Sequence, residues 1–94
     1  MAVVTNANSG EVTFILKGLP LATEVYLAGD FNQWHPDKRR MSKHKDGSFR
    51  AKLQLRPGKY QYKFVADGVW LADAEAAEQV VNAYGTLNSQ VRVE

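Results

Sequence analysis

The 94-residue sequence contains no cysteine. A disulfide framework, an iron–sulfur cluster and a zinc site with thiolate ligands are therefore excluded. The lack of cysteine is consistent with the cytosol, and the N-terminus has neither the basic nor the apolar region of a secretory signal, so we predict a cytoplasmic protein. There is also no apolar run long enough to cross a bilayer, and we expect no membrane partner.

Residues that commonly carry chemistry are scarce or isolated. His35 and His44 are the two histidines, and neither has a partner at metal-ligand spacing, so we expect no metal site and no cofactor. A glycine-rich phosphate loop is missing, and no nucleophile, base and orienting acid form a recognisable set. Several aspartates lie near loops, but turn chemistry is a sufficient explanation for most of them. We therefore predict that the protein is not an enzyme.

Positive charge is present but unevenly distributed. The sequence has 12 lysines and arginines, and ten of them lie between Lys38 and Lys63, most densely from Lys38 to Lys45. Such a cluster can attract phosphate, whereas the alternative is a solvated hairpin whose cations keep an edge strand from pairing with other chains. Asp37 and Asp46 dilute the cluster. We favour the solvated hairpin and expect no nucleic-acid partner.

The most informative stretch runs from Gly58 to Trp70, with the sequence GKYQYKFVADGVW. Aromatic residues and alanine alternate with polar residues and valine, which indicates a strand with one aromatic face and one face that carries Lys63. Pro57-Gly58 opens this strand and Asp67-Gly68 closes it, both with turn chemistry. The tryptophan just past the second turn suggests that the lysine-bearing face is the floor of a binding surface.

Shorter strands are predicted along the rest of the chain. Alternating hydrophobicity and turn signals place them at Glu11–Lys17, Glu24–Ala28, Lys38–His44, Ser48–Leu55, Val80–Val81 and Ser89–Glu94. Residues 71–79 are rich in alanine and acid and are predicted as a loop or a short helix. About seven short strands at this spacing indicate an all-β protein built as an antiparallel β-sandwich. We predict one domain over residues 11–94, preceded by a disordered tail over residues 1–10.

Two tryptophans stand outside the alternating core pattern. Trp34 and Trp70 each follow a turn and have polar neighbours, and the predicted core already contains several large aromatic residues. We therefore expect both indoles to be exposed. Exposed indoles suit ligands with flat apolar faces and polar rims, such as sugars, and Lys63 and Asn88 would supply hydrogen bonds to the hydroxyl groups.

Three motifs in this order, GDFNQW, GKYQYKFVADGVW and NAYGTLNS, resemble the family-48 carbohydrate-binding modules. That family includes the glycogen-binding domain of the AMP-activated protein kinase beta subunit and the N-terminal domains of isoamylases and branching enzymes. The resemblance covers residues from about Val12 to Val93. It implies an immunoglobulin-like, early-set sandwich that binds α-1,4-glucan, such as glycogen, starch, maltooligosaccharides or cyclodextrins, without cutting it.

The resemblance also implies roles for individual residues. Trp34 and Trp70 match the tryptophans that stack on glucose rings, while Lys63, Thr86 and Asn88 match the residues that bind hydroxyl groups. Tyr84 matches an apolar residue that projects into the curve of the glucan. Kinase-type members have leucine there, which leaves open whether Tyr84 inserts into that curve or stacks at its edge.

A second function fits the same fold. Early-set domains attached to amylase-type enzymes often serve mainly to pack on the catalytic barrel. The chain could therefore be a docking or interaction domain that does not bind sugar itself, with a catalytic domain or a kinase as its partner. A large exposed apolar patch away from the tryptophans would favour this alternative.

Overall fold

The protein is a sandwich of two antiparallel sheets. The computed structural model describes residues 3–6, 10–19, 21–76 and 78–94. Within these ranges the nine strands are β1 (Val3–Asn6), β2 (Glu11–Leu16), β3 (Val25–Gly29), β4 (Ser42–Lys43), β5 (Phe49–Gln54), β6 (Gly58–Ala66), β7 (Val69–Leu71), β8 (Glu78–Val81) and β9 (Leu87–Val93). The first sheet has the order β1-β2-β5-β4, and the second has the order β3-β6-β9-β8 with β7 paired to β6. The predicted β-sandwich is confirmed.

The strand β6 is the central strand of the second sheet. It pairs with β3 on one side and with both β9 and β7 on the other. Its aromatic face points into the sandwich, where Tyr62 and Phe64 are fully buried and Phe14 of the first sheet meets Tyr62 edge-on at 4.9 Å between ring centroids. The opposite face, which carries Lys63, is turned away from the core, as the alternation predicted.

The core lies between the two sheets and draws on both. Its buried members are Val12, Phe14, Val25, Leu27, Met41, Phe49, Ala51, Tyr62, Phe64, Ala66, Val91 and Val93. Neither tryptophan belongs to this core. Both indoles therefore lie outside the core, with Trp70 exposed and Trp34 half-buried.

The structure differs from the predicted strand pattern in four places. Of the predicted strand Lys38–His44, only Ser42–Lys43 form a strand, β4. Val3–Asn6 lie in the predicted disordered tail but form β1, paired with β2, and the remainder of that tail up to residue 9 lies outside the described residues. Val69–Leu71 form β7, which the sequence pattern did not predict. The alanine-rich segment after it is a loop followed by β8, so the alternative of a short helix is not realised in the described residues. The strand β7 was not predicted because its three residues are too few to show an alternating pattern.

The turn between β6 and β7 explains how the short strand forms. Asp67 and Gly68 have φ of 47° and 84°, and two successive positive φ values are typical of the tight type I′ hairpin turn. The Asp67 carboxylate also accepts hydrogen bonds from the backbone N–H groups of Glu24 and Thr23 and from the Thr23 hydroxyl. These bonds, led by the one from Glu24, lower the pKa of Asp67 below its usual value. The turn that presents Trp70 is therefore fixed to the start of β3.

A buried polar network holds the loop after β7. Asp73 is 3% exposed, and its carboxylate accepts a 2.6 Å hydrogen bond from the Tyr62 hydroxyl. The backbone N–H of Asp73 donates to Ser89 Oγ at 2.7 Å, and its carbonyl accepts from the Gln79 side chain. Burial, followed by the bond to Asp73, raises the pKa of Tyr62 well above its usual value, so the phenol remains a donor. This network fixes the course of the chain from β7 to β8.

The basic cluster from Lys38 to Lys45 lies between the two sheets in the chain: Arg39 and Arg40 pair with β3 of the second sheet, and Lys43 belongs to β4 of the first. Charges in and beside the cluster have local partners: the Arg39 guanidinium donates to the Lys52 carbonyl at 2.7 Å, and Arg50 of β5 forms an ion pair with Asp46 at 3.2 Å. β4 is an edge strand of the described sheet. Cations beside an edge strand discourage pairing with other chains. Within the described ranges, no helix has the length and hydrophobicity that a membrane crossing requires.

Candidate functional site

An open cavity of about 560 Å³ lies on the outer face of the second sheet. All six residues that the sequence analysis proposed as binding residues line this cavity. Two further residues, which the sequence analysis did not propose, line it as well. The lining residues are Trp34, Lys63, Trp70, Asn82, Ala83, Tyr84, Thr86 and Asn88. Segments distant in the sequence thus converge on one surface, whereas no basic residue between Lys38 and Lys45 lines the cavity.

Trp34 is placed by a tight loop at the end of β3. Residues Asp30–Asn32 form one turn of 3₁₀ helix, after which Gln33 and Trp34 adopt left-handed φ values of 53° and 61°. The Asn32 side chain accepts from the backbone N–H of Gly29 at 3.1 Å and donates to the Leu27 carbonyl at 2.9 Å. The backbone N–H of Trp34 donates to the Gly29 carbonyl at 2.9 Å. These bonds turn the half-buried indole back over the sheet.

The Asp30 carboxylate fixes the orientation of the Trp34 ring. Asp30 Oδ1 accepts from the indole Nε1 at 3.0 Å, and Asp30 Oδ2 accepts from the backbone N–H of Gln61 in β6 at 2.8 Å. Hydrogen bonds to an ionised carboxylate are stronger than neutral ones. The indole N–H is thereby occupied, so Trp34 offers a ligand the face of its ring.

Replacing Asp30 is expected to weaken ligand binding without abolishing it. Asp30→Ala removes both hydrogen bonds that orient the ring, so the affinity for the sugar ligand that the sequence predicts should fall about three- to tenfold, the effect of one typical hydrogen bond. Isothermal titration with β-cyclodextrin measures this. Asp37→Ala is the matched control, because Asp37 is an exposed carboxylate of the same loop that does not line the cavity. Equal affinities of the two variants would contradict the orienting role.

Trp70 reaches the cavity from the hairpin of β6 and β7. It pairs with Val65 in register, so its side chain lies on the same outer face of the sheet as Lys63. Its exposed fraction is 45%, which confirms the expectation for this indole. Trp34 is half-buried and therefore more enclosed than we expected, because the 3₁₀ turn folds it against the sheet.

The loop between β8 and β9 supplies the remaining wall, and Asn82 organises it. Asn82 Oδ1 accepts from the backbone N–H groups of Tyr84 and Thr86, and the backbone N–H of Asn82 donates to the Thr86 carbonyl at 2.8 Å. Gly85 completes the turn with a φ of 80°, which favours glycine. Tyr84 consequently projects from the loop with an exposed fraction of 91%.

The polar rim consists of Lys63, Thr86 and Asn88. Lys63 Nζ donates to Thr86 Oγ1 at 3.1 Å. Asn88 is 8% exposed, and its side chain donates to Gln61 Oε1 at 3.0 Å and accepts from Asn82 Nδ2 at 3.1 Å. Lys63 and Thr86 are thus the more accessible polar groups, and Asn88 presents only an edge of its amide.

Sequence reasoning missed Asn82, Gln61 and the orienting role of Asp30. Each acts through another residue of the site, and a supporting role of this kind has no motif of its own. The available signal for Asn82 was its position two residues before Tyr84, which is the spacing of an Asx turn. The signal for Asp30 was a carboxylate four residues before an indole.

The arrangement combines aromatic faces with fixed hydrogen-bond donors. Such a surface can bind a ligand that has flat apolar faces and hydroxyl groups at their edges. In the described part of the chain, no group of three or more histidine, aspartate or glutamate side chains could hold a metal ion.

Comparison with protein families bears directly on this surface. Residues 12–94 match the model of the glycogen recognition site of AMP-activated protein kinase. The chain belongs to this family. The matched range includes every strand from β3 to β9 and every residue that lines the cavity. The family is one of carbohydrate-binding modules, which confirms the resemblance found in the sequence.

Two curated relatives of the chain are much longer than the chain itself. The chain is 39% identical over 71 residues to the human 5′-AMP-activated protein kinase subunit beta-2, which covers 74% of this chain and 25% of that protein. It is 46% identical over 52 residues to Protein FLOURY ENDOSPERM 6, chloroplastic, from Oryza sativa subsp. japonica, which covers 55% of this chain and 10% of that protein. The chain thus spans a tenth to a quarter of these two relatives.

Proposed function

We propose that this chain is a non-catalytic module that binds α-1,4-glucans, such as glycogen, starch, maltooligosaccharides and cyclodextrins. The observation that carries the proposal is the convergence of Trp34, Trp70, Lys63 and Thr86 on one open cavity. Membership of a family described as a glycogen recognition site supports it.

The proposed binding mode follows from the chemistry of the cavity. The rings of Trp34 and Trp70 stack on the apolar faces of glucose units, and Lys63, Thr86 and Asn88 bind hydroxyl groups. Tyr84, which stands at the rim and is almost fully exposed, contacts the curve of the glucan. The site is open and solvated, so we expect a dissociation constant of roughly micromolar to millimolar.

Isothermal titration of the wild-type protein with β-cyclodextrin and maltoheptaose is the direct test. We expect saturable binding of both ligands, and retention on amylose resin that free maltoheptaose reverses. Cellobiose, a β-linked glucan fragment, serves as the control ligand and should not compete. If the folded protein shows no binding heat and passes through the resin, the proposal is wrong.

The alternative is a docking domain, and the kinase beta subunits among the relatives favour a kinase complex as its partner. The two functions differ on the amylose resin, since a docking domain would not be retained. A cytoplasmic location remains a prediction from the absence of cysteine.

A further inference from the structure

The hydrogen-bond network around Asn82 has only one consistent assignment of donors and acceptors. One side-chain atom of Asn82 faces the backbone N–H groups of Tyr84 and Thr86, at 2.9 and 3.1 Å. A backbone N–H can only donate, so this atom must be the amide oxygen. The amide nitrogen of Asn82 must then point to the other side, toward the rim of the cavity.

That orientation determines what the Thr86 hydroxyl can do. Asn82 Nδ2 donates to Thr86 Oγ1 at 2.7 Å, and Lys63 Nζ donates to the same oxygen at 3.1 Å. A hydroxyl oxygen has two lone pairs, and both are occupied by these donors. The hydrogen of the Thr86 hydroxyl is therefore available to donate to a ligand, because Thr86 is exposed and lines the cavity.

We propose that Asn82 is a positioning residue that sets the hydrogen-bond polarity of the site. By occupying an acceptor position of Thr86, Asn82 makes this hydroxyl a donor toward the ligand. Lys63 has two further N–H groups and can only donate. Thr86 and Lys63 together therefore recognise lone pairs on sugar hydroxyl oxygens. This inference rests on the proposed function and deepens it.

The polarity restricts the chemical class of ligand. A neutral sugar presents oxygen lone pairs to the rim, and its own hydroxyl hydrogens stay available for neighbouring glucose units or for water. A cationic amino sugar presents an ammonium group, which has no lone pair and is repelled by Lys63. The rim thus selects neutral polyols over amino sugars of the same shape.

Asn82→Asp tests the assignment, because the new side chain keeps one oxygen for the N–H groups of Tyr84 and Thr86. Its second oxygen replaces the amide nitrogen, so the Thr86 hydroxyl turns to donate to the new carboxylate and is lost to the ligand. We expect the affinity for β-cyclodextrin to fall about tenfold in isothermal titration. Thr86→Val should cost about tenfold in the wild type but less than about twofold in the Asn82→Asp background.

Thr86→Ser is the conservative variant, because it keeps the hydroxyl, and it should lose much less affinity than Thr86→Val. Additive losses in the double variant would overturn the proposal, since Thr86 would then donate to the ligand regardless of Asn82. If Asn82→Asp does not fold, equal binding by Thr86→Val and Thr86→Ser overturns it instead. Absence of binding by the wild type has a different meaning, because it refutes the proposed function itself.

Discussion

Trp34→Ala and Trp70→Ala are each expected to lower the affinity for β-cyclodextrin about tenfold or more, and the double variant should show no measurable binding. Stacking of a nucleobase on an aromatic side chain contributes about 1–3 kcal/mol, which we take as the scale for a glucose ring, and about 1.4 kcal/mol corresponds to a factor of ten. Isothermal titration against β-cyclodextrin and maltoheptaose measures the change. Trp→Phe at either position should retain part of the affinity, because a smaller ring face remains.

The melting temperature separates lost contact from lost structure in these variants. Neither indole belongs to the core, so each alanine variant should melt within a few degrees of the wild type. Leu21→Ala provides a control for the loss of an exposed apolar side chain, since Leu21 is 92% exposed and does not line the cavity. Wild-type affinity in both tryptophan variants at an unchanged melting temperature would show that the site assignment is wrong.

Gly29→Ala should destabilise the fold by about 3 kcal/mol, at the upper end of the cost of overpacking. A Cβ atom at this position would lie 2.6 Å from the Gln61 carbonyl oxygen and 2.7 Å from the Phe31 ring. The ring could move, but the carbonyl belongs to the central strand and cannot. Because Gly29 also accepts the hydrogen bond from the Trp34 backbone, sugar affinity should fall as well. Urea denaturation and titration measure the two effects.

Gly47→Ala is the control for this prediction. Gly47 has a φ of 86° and no heavy atom within 4 Å of an added Cβ, so alanine there introduces backbone strain without crowding. We expect a cost of about 1–2 kcal/mol, the penalty of a left-handed residue, and unchanged affinity because the turn is remote from the cavity. Equal stability losses in the two variants would contradict the conclusion that a Cβ atom at position 29 collides with the Gln61 carbonyl.

Strict alternation made the architecture predictable. In β2, β5 and β6, apolar residues fall on every second position, and the structure buries that set against the facing sheet. Turn residues marked the ends of these strands, and Asp67-Gly68 forms the turn that its sequence indicates. β1 and β7 were missed for a different reason. They are short strands defined by pairing with a longer neighbour, and pairing of this kind leaves little trace in a local pattern.

The lining of the cavity could be predicted only in part. Trp34, Lys63, Trp70 and Thr86 belong to motifs that resemble those of a known family, and each faces the cavity directly. Asn82 and Asp30 depend on contacts that only the folded chain creates, such as the bond between Asp30 and the backbone of Gln61, which is 31 residues away in sequence. The near-burial of Asn88 likewise results from Gln61 and Asn82, which converge on it in three dimensions.

The left-handed pair Gln33 and Trp34 has a thermodynamic consequence. A non-glycine residue in this conformation costs about 1–2 kcal/mol, and the surrounding hydrogen bonds of the loop offset that cost in the free protein. The indole therefore loses little conformational entropy when a ligand arrives, which favours affinity through preorganisation. Gln33→Gly would relieve the backbone strain and so stabilise the folded protein. It would also let the loop adopt other conformations, so the complex with the ligand would be weaker and would form more slowly.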